Sequence, residues 1–153
     1  MTGPLLRMDI TGRDGVRLAD VWAAGPKTYL GLQVAGFPNL FTMTGPGSPS
    51  VLCNMPVAIE QHAEWIADCI AHMRAHGVRT VETTAEAAEE WGAQVNAAAN
   101  ATLLPKATHS WYLGANVPGK PRVFMPYAGG MARYRAHCAE VAAGGYPGFV
   151  MEG

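Results

Sequence analysis

Residues 39–55, with the sequence NLFTMTGPGSPSVLCNM, decide the fold predicted for this chain. The apolar run near residues 40–44 predicts a short buried strand. Gly45–Gly47 then predicts a tight loop, because glycine lets the backbone bend and approach its neighbours closely. Asn54 and Pro56 predict a helix start, since asparagine caps well and a proline in the first turn loses no donor that the helix needs.

A strand, a glycine loop and a helix start in this order point backbone N–H groups at whatever lies above the loop. The positive end of the helix dipole adds to this effect, so the site suits a phosphate, a carboxylate or the electron-rich edge of a ring. The competing interpretation is an ordinary strand-to-helix turn with a capping Asn54. The residues alone favour that simpler interpretation, because a single Gly-x-Gly is weak evidence for a ligand.

The segments on either side complete a mixed α/β prediction. A β-hairpin is expected over residues 5–18, with a short glycine-containing loop. Three main helices are expected near 55–76, 84–101 and 130–142, the second of them starting at Thr83 with a capping box. The first of these helices is expected to bury an apolar face with spacings of four and three, formed by Ile59, Ala63, Ile66, Ile70 and Met73.

Composition excludes several classes of function. The net charge of −1 and the interspersed acidic and basic residues predict no nucleic-acid partner. No apolar run approaches the length of a membrane span, and the first residues do not predict a secretion signal. Cys53, Cys69 and Cys138 have no paired spacing and predict the reduced thiols of a cytoplasmic protein. His72 and His76 share a helix face, but no further residues have metal-site spacing, so no metal is predicted.

Several stretches of the chain resemble the Baeyer–Villiger flavin monooxygenases, the family of the cyclohexanone and phenylacetone monooxygenases. One is the quoted stretch from Gly45 to Met55, with the IEQH of residues 59–62 after it. The others are WAAGPKTYLG at residues 22–31 and SWYLGANVPGKPR at residues 110–122. The resemblance continues to the last residues, and it covers nearly all of this chain but only the closing section of the family's enzymes.

The resemblance implies that the chain is the C-terminal part of a FAD-binding, Rossmann-like domain. Residues 1–44 would form the hairpin, irregular chain and strand, and residues 45–107 the flavin-flanking loop with two helices. Residues 108–127 would form a loop that covers the nicotinamide cofactor, and residues 128–153 the C-terminal helix and tail. The stretch at 22–31 would serve packing and linkage only.

The resemblance also assigns binding residues, though no catalytic ones. Four residues would bind along the flavin: Gly45, Gly47, Asn54 and Met55. Four would face the substrate pocket: Ser50, Val51, Leu52 and Cys53. Three would contact the nicotinamide cofactor: Trp111, Asn116 and Lys120. Many relatives have a serine where this chain has Cys53, so a substrate preference cannot be transferred.

Members of the family bind FAD and NADPH and insert one oxygen atom of O2 next to a ketone. The 153 residues contain neither the Gly-x-Gly-x-x-Gly fingerprints of dinucleotide binding nor the family's active-site arginine. A truncated gene, a cloned fragment or one half of a split enzyme is therefore expected, inactive alone and partnered by the N-terminal FAD/NADP-binding section. The alternative is a stand-alone, non-catalytic module that binds a ligand or self-associates.

Overall fold

The computed structural model describes residues 2–106, 110–114, 119 and 122–153, and of Trp111 the backbone only. Five α-helices lie in the described part of the chain: α1 (Gly3–Leu6), α2 (Leu18–Val21), α3 (Met55–Ala75), α4 (Ala85–Asn100) and α5 (Met131–Ala143). Two strands, β1 (Thr80–Thr83) and β2 (Phe149–Glu152), form an antiparallel pair in which Thr80 lies opposite Glu152 and Thr83 opposite Phe149. The mixed α/β class predicted from the sequence is confirmed.

The three long helices lie where the sequence predicts them, with specific signals at their ends. Gly77 has φ +67° after α3, and the N–H of Val78 donates to the Met73 carbonyl across it. Gly145 ends α5 in the same way, so both helices close with a glycine in the left-handed conformation. The start of α4 is predicted one residue too early. Thr84 is the N-cap and its side chain accepts from the Ala87 N–H, whereas Thr83 belongs to β1.

The predicted N-terminal hairpin is wrong. The structure has the short helices α1 and α2, joined by a turn with one isolated antiparallel bridge between Thr11 and Arg17. Packing explains the difference. The apolar residues of this region do not alternate between two faces but meet in one cluster, formed by Leu5, Leu6, Ile10, Leu18, Trp22, Val34, Phe37 and Leu40.

The predicted strand at residues 40–44 is reduced to one bridge, between Phe41 and Gln33. Asn39 at φ +60° and Thr44 at φ +50° interrupt extended backbone on both sides of it. The strand pair β1–β2 was not predicted. Thr80–Thr83 does alternate half-buried and buried positions, as β-branched residues on a one-sided ribbon do.

Helix α3 buries a different face from the predicted one. Its interior side consists of Ala58, Gln61, His62, Trp65, Cys69 and Met73. The Trp65 ring decides the orientation, because its indole N–H donates to the Cys138 carbonyl on α5 at 2.9 Å inside the main core. Of the predicted face only Met73 is buried and Ile66 half-buried. Ile59 and Ile70 are 42% and 38% exposed and form, with Ala63, an apolar stripe on the outside of α3.

We expect this exposed α3 stripe to make the isolated 153-residue chain self-associate. A double variant, Ile59→Glu with Ile70→Glu, should shift sedimentation at high protein concentration towards the monomer and lower the binding of a hydrophobic dye, because charges replace the apolar contact. Glu64→Gln, an exposed change on the same helix, is the control and should alter neither. A wild-type chain that stays monomeric and binds no dye would contradict the expectation.

Candidate functional site

The glycine loop that the sequence predicts as a binding site is buried and held from three directions. The Thr28 hydroxyl donates to the Pro46 carbonyl at 2.6 Å, and the Trp91 indole N–H donates to the Gly47 carbonyl at 3.0 Å. The Gly47 N–H donates to the Met125 carbonyl at 2.6 Å. Three separate segments therefore hold the backbone of the loop.

Both loop glycines are required by the protein's own packing. A Cβ on Gly45 would lie 2.6 Å from the Gly31 carbonyl oxygen, which no side chain permits. Gly47 has φ +87°, and its Cβ would point to Thr28 at 2.9 Å and Trp91 at 3.1 Å. A valine at position 47 would therefore enter the protein interior, towards Thr28 and Trp91. Contact of these two glycines with a cofactor stays a prediction.

After the buried loop the chain comes to the surface over residues 50–55. Ser50–Leu52 forms a single 3-10 turn, and Ser50 has the strained backbone angle φ +43°. Leu52 is 37% exposed. The half-buried Cys53 thiol donates to the Ser50 carbonyl, and burial raises its pKa, so Cys53 is a protonated side chain and not a thiolate nucleophile at neutral pH.

The N-terminus of α3 follows directly on this surface segment. Asn54 occupies the N-cap position, but its side chain forms no capping hydrogen bond, contrary to the sequence prediction. Pro56 has no N–H, and no acidic residue lies in the first turn. Among the described residues, no side chain caps the first-turn N–H groups of α3, which lie beside the exposed residues of the segment.

A fully buried histidine connects this region to α5. The His62 Nδ1 accepts a hydrogen bond from the Thr44 N–H at 2.9 Å, next to the glycine loop. Its Nε2 lies 2.8 Å from the Tyr134 hydroxyl, which also lies 2.6 Å from the Leu30 carbonyl oxygen. Since Nδ1 accepts, the ring proton is on Nε2 and donates to Tyr134, and the Tyr134 hydroxyl donates to Leu30.

Burial lowers the pKa of His62 to about 4, so the ring is neutral at physiological pH. An unfolded chain takes up this proton near pH 6.5, whereas the folded chain resists it down to about pH 4. The stability from His62 is therefore complete above pH 6.5 and is lost as the pH falls towards 4.

We expect the free energy of unfolding to fall by about 3 kcal/mol from this group between pH 6.5 and pH 4. Urea denaturation at several pH values in this window measures the free energy of unfolding of the wild type and of His62→Gln. This free energy should depend less steeply on pH in the variant. His76→Gln, an exposed change at the C-cap of the same helix, should leave the pH dependence as in the wild type. Equal slopes for the wild type and His62→Gln would contradict the expectation.

The described part of the predicted cofactor-covering loop is anchored by backbone hydrogen bonds. Trp111–Leu113 forms a 3-10 turn, the Met125 N–H donates to the Tyr112 carbonyl at 2.8 Å, and the Val123 N–H donates to the Leu113 carbonyl at 3.2 Å. The side chain of Trp111, and all of Asn116 and Lys120, lie outside the described residues. Their predicted contacts with a nicotinamide cofactor stay predictions.

Met125 connects the two predicted cofactor segments. Its N–H donates to Tyr112, beside Trp111, and its carbonyl accepts from the Gly47 N–H. The Tyr127 N–H donates to the Ser48 carbonyl at 2.7 Å and extends the connection by one step. Backbone hydrogen bonds therefore join residues 47–48 to Tyr112 through residues 125–127.

The residues that hold the loop were mostly missed from the sequence. The sequence predicts Thr28 only as part of a packing segment, and it predicts no buried hydrogen-bonding role for His62. Trp91 lies on the buried face of α4, and its hydrogen bond to Gly47 joins residues 44 positions apart. No local pattern reports such distant pairs. A cavity of about 330 Å³ lies beside the loop, and its lining includes Thr28, Gly47, Trp91 and Met125.

Within the described ranges, no three His, Cys, Asp or Glu residues group closely enough to hold a metal ion. The His72 and His76 rings stack at 4.1 Å between centroids, and Tyr146 packs on His72. None of the helices in the described residues is long and apolar enough to cross a membrane.

Known proteins match this chain over almost its entire length. It is 48% identical over 151 residues to an acetone monooxygenase (methyl acetate-forming) of Gordonia sp., and 41% identical over 150 residues to a Baeyer–Villiger monooxygenase of Pseudooceanicola batsensis. Each match covers 98% of this chain but only 28% and 27% of the relative. The chain thus spans about a quarter of the length of these proteins. No family model matches it.

The solved structures give the same result. The crystal structure of the OTEMO complex with FAD and NADP superposes with a TM-score of 0.90 at 41% sequence identity. The match covers 98% of this chain and 27% of that one. The described fold, including the buried loop and the long helices, is therefore also the fold of one section of that FAD- and NADP-bound protein.

Proposed function

This chain is homologous over nearly its whole length to one section of the Baeyer–Villiger monooxygenases, and we propose that it supplies the flavin-flanking section of such an enzyme. The complete enzyme would use FAD, NADPH and O2 to insert one oxygen atom into a ketone. The remaining three quarters, with the dinucleotide-binding glycine motifs, would come from a partner section. The three unpaired thiols suit the reducing cytoplasm, where we expect it to act.

One observation carries the proposal. A chain that matches an FAD and NADP complex at a TM-score of 0.90 keeps, in this structure, a loop whose backbone is fixed by Thr28, Trp91 and Met125. A loop that is already rigid suits a site in which a ring must be held in one orientation, because no ordering cost is added when the ligand binds.

The residues present fit a flavin. The first turn of α3 offers N–H groups that Asn54 does not cap, and a helix N-terminus favours the electron-rich edge of a ring. Asn54 and Met55 would hold that edge, and the buried backbone of Gly45 and Gly47 would set the position of the segment. When bound, the flavin supplies the oxygen chemistry and the nicotinamide cofactor supplies the electrons.

The surface turn after the loop would form part of the substrate pocket, through Ser50, Val51, Leu52 and Cys53. Its side chains are mostly apolar. The Cys53 thiol is protonated and donates a hydrogen bond to the Ser50 carbonyl. Such a wall excludes water and shapes the pocket but transfers no proton. Trp111, Asn116 and Lys120 would cover the nicotinamide cofactor from the loop that Met125 anchors.

We expect the 153-residue chain alone to retain no FAD after purification and to oxidise no NADPH. The pyrophosphate of a dinucleotide is held at the glycine-rich strand–helix turn of such enzymes, and this sequence has no such motif. Losing those contacts while the ligand still loses its translational freedom leaves weak binding. A flavin absorbance spectrum of the purified chain measures this, and stoichiometric yellow flavin would contradict it.

Co-expression with a dinucleotide-binding section tests the proposed function itself. The joint preparation should be yellow and should consume NADPH when a ketone is added. Within it, Trp111→Ala should impair the use of NADPH more than the retention of flavin, because Trp111 is assigned to the nicotinamide side. Absence of flavin from a soluble joint preparation would count against the proposal.

A further inference from the structure

Two residues with strained backbones lie at the ends of one buried hydrogen-bond chain. Leu30 has φ +59° and Thr44 has φ +50°. Residues other than glycine rarely adopt this left-handed backbone conformation. Thr44 gives its N–H to His62, and Leu30 gives its carbonyl to Tyr134. Strained conformations of this kind persist only where the surroundings determine them, and they concentrate at functional sites.

The two side chains that join these points come from different helices. His62 on α3 and Tyr134 on α5 are both fully buried, and their rings meet edge to face with centroids 5.6 Å apart. Every polar atom of the pair has a use. Nδ1 accepts from Thr44, Nε2 donates to Tyr134, and the hydroxyl donates to Leu30. These hydrogen bonds thus tie α3 and α5 to the backbone at Thr44 and Leu30.

We propose that His62, oriented by Tyr134, is the positioning residue that sets the entry of the chain into the flavin-flanking loop at Thr44. The assignment rests on the proposed function, because the loop would then stand beside the flavin. The role requires a neutral ring, since protonation of Nδ1 would place a donor against the Thr44 N–H. Apart from filling space, His62 acts here through one specific acceptor atom.

The electrostatic surroundings keep this acceptor available. Among the described residues, Tyr134 is hydrogen-bonded to the ring, and, in addition to burial, the thiols of Cys138 on α5 and Cys53 lie close enough to Tyr134 to raise its pKa. On the loop side, the Thr44 N–H contacts Nδ1. Burial keeps the pKa of His62 near 4, and burial also raises the pKa of Tyr134 well above its ordinary value, so both groups stay neutral across the physiological range.

Two substitutions separate the acceptor from mere packing. In His62→Asn the amide oxygen can take the place of Nδ1 and accept from Thr44, whereas in His62→Gln the amide reaches towards Tyr134 and leaves Thr44 without an acceptor. Hydrogen exchange of the Thr44 amide in the purified chain is the measurement. We expect exchange about 10- to 100-fold faster in His62→Gln and close to the wild-type rate in His62→Asn. Amides within α4 serve as the internal control and should change little in either variant.

The wild type supplies a second readout that does not depend on the variants' folding. Nitrogen NMR of the His62 ring should show the tautomer with the proton on Nε2, unchanged until the pH approaches 4. A proton on Nδ1, or equal Thr44 exchange in the Asn and Gln variants, would overturn the positioning role.

The flavin readout keeps this proposal distinct from the proposed function. In the co-expressed preparation, His62→Gln should loosen flavin retention while His62→Asn retains it. If both variants hold flavin as the wild type does, the positioning role towards the flavin fails and the proposed function stands. If no flavin binds even with wild-type His62, the proposed function fails, and the exchange and NMR results still decide whether His62 sets the loop.

Discussion

Trp91→Ala should lower the free energy of unfolding by about 4–5 kcal/mol, among the largest effects that one substitution can have in this chain. The indole is 1% exposed and stacks between two rings, Tyr127 at 5.1 Å and His137 at 5.2 Å. Its removal would leave a cavity and would also leave the buried Gly47 carbonyl without its Trp91 donor.

Urea denaturation followed by circular dichroism measures this loss, with Trp91→Phe as the matched control. Phenylalanine keeps an aromatic ring in the stack but cannot donate to Gly47, so it should lose about 1–3 kcal/mol. The difference between the two variants isolates the stack from the hydrogen bond. Wild-type stability in Trp91→Ala would show that the α4 contact does not hold the loop.

Gly31→Ala should prevent stable folding or cost more than about 4 kcal/mol. Gly31 has φ +72°, and a Cβ there would lie 2.6 Å from the Ser48 backbone nitrogen. The two segments 28–31 and 45–48 approach so closely that only hydrogen fits between them. Because the obstacle is backbone and not a flexible side chain, the clash cannot be relieved by a rotamer change.

Gly36→Ala is the control for the backbone angle alone. Gly36 also has a positive φ, of +87°, but nothing lies within 4 Å of its ideal Cβ. Gly36→Ala should therefore lower the free energy of unfolding by about 1–2 kcal/mol, the cost of the left-handed conformation for alanine. Thermal melts of both variants give the comparison, and equal losses would show that the close approach of Gly31 to Ser48 is unimportant.

The extent to which the sequence predicts this fold follows from the range of the interactions involved. The long helices were predictable because their signals are local: Pro56 at the start of α3, Gly77 after it and Gly145 after α5. The face that α3 buries was not predictable in this way. The helix is apolar on two sides, and the choice between them depends on Trp65 reaching a carbonyl of α5, 73 positions away in the chain.

The hairpin prediction for the N-terminal region was wrong for a related reason. A glycine-containing turn between apolar runs is typical of a hairpin, but Leu18 and Trp22 pack into one cluster with Phe37 in place of pairing across a ladder. The residues of the candidate site likewise fall into two groups, those that the sequence predicts and those that only the structure reveals. Residues 45–55 were found from their pattern and family resemblance, whereas His62, Tyr134 and Met125 act through contacts that only the folded chain brings together.

A chimera tests most directly whether this chain is a working flavin-flanking section. The matching section of the Gordonia acetone monooxygenase, 48% identical, would be replaced by this chain, and the purified protein examined for bound flavin by absorbance. The account predicts a folded chimera that retains FAD in stoichiometric amount and consumes NADPH in the presence of a ketone. A chimera that folds and melts cooperatively but carries no flavin would contradict it.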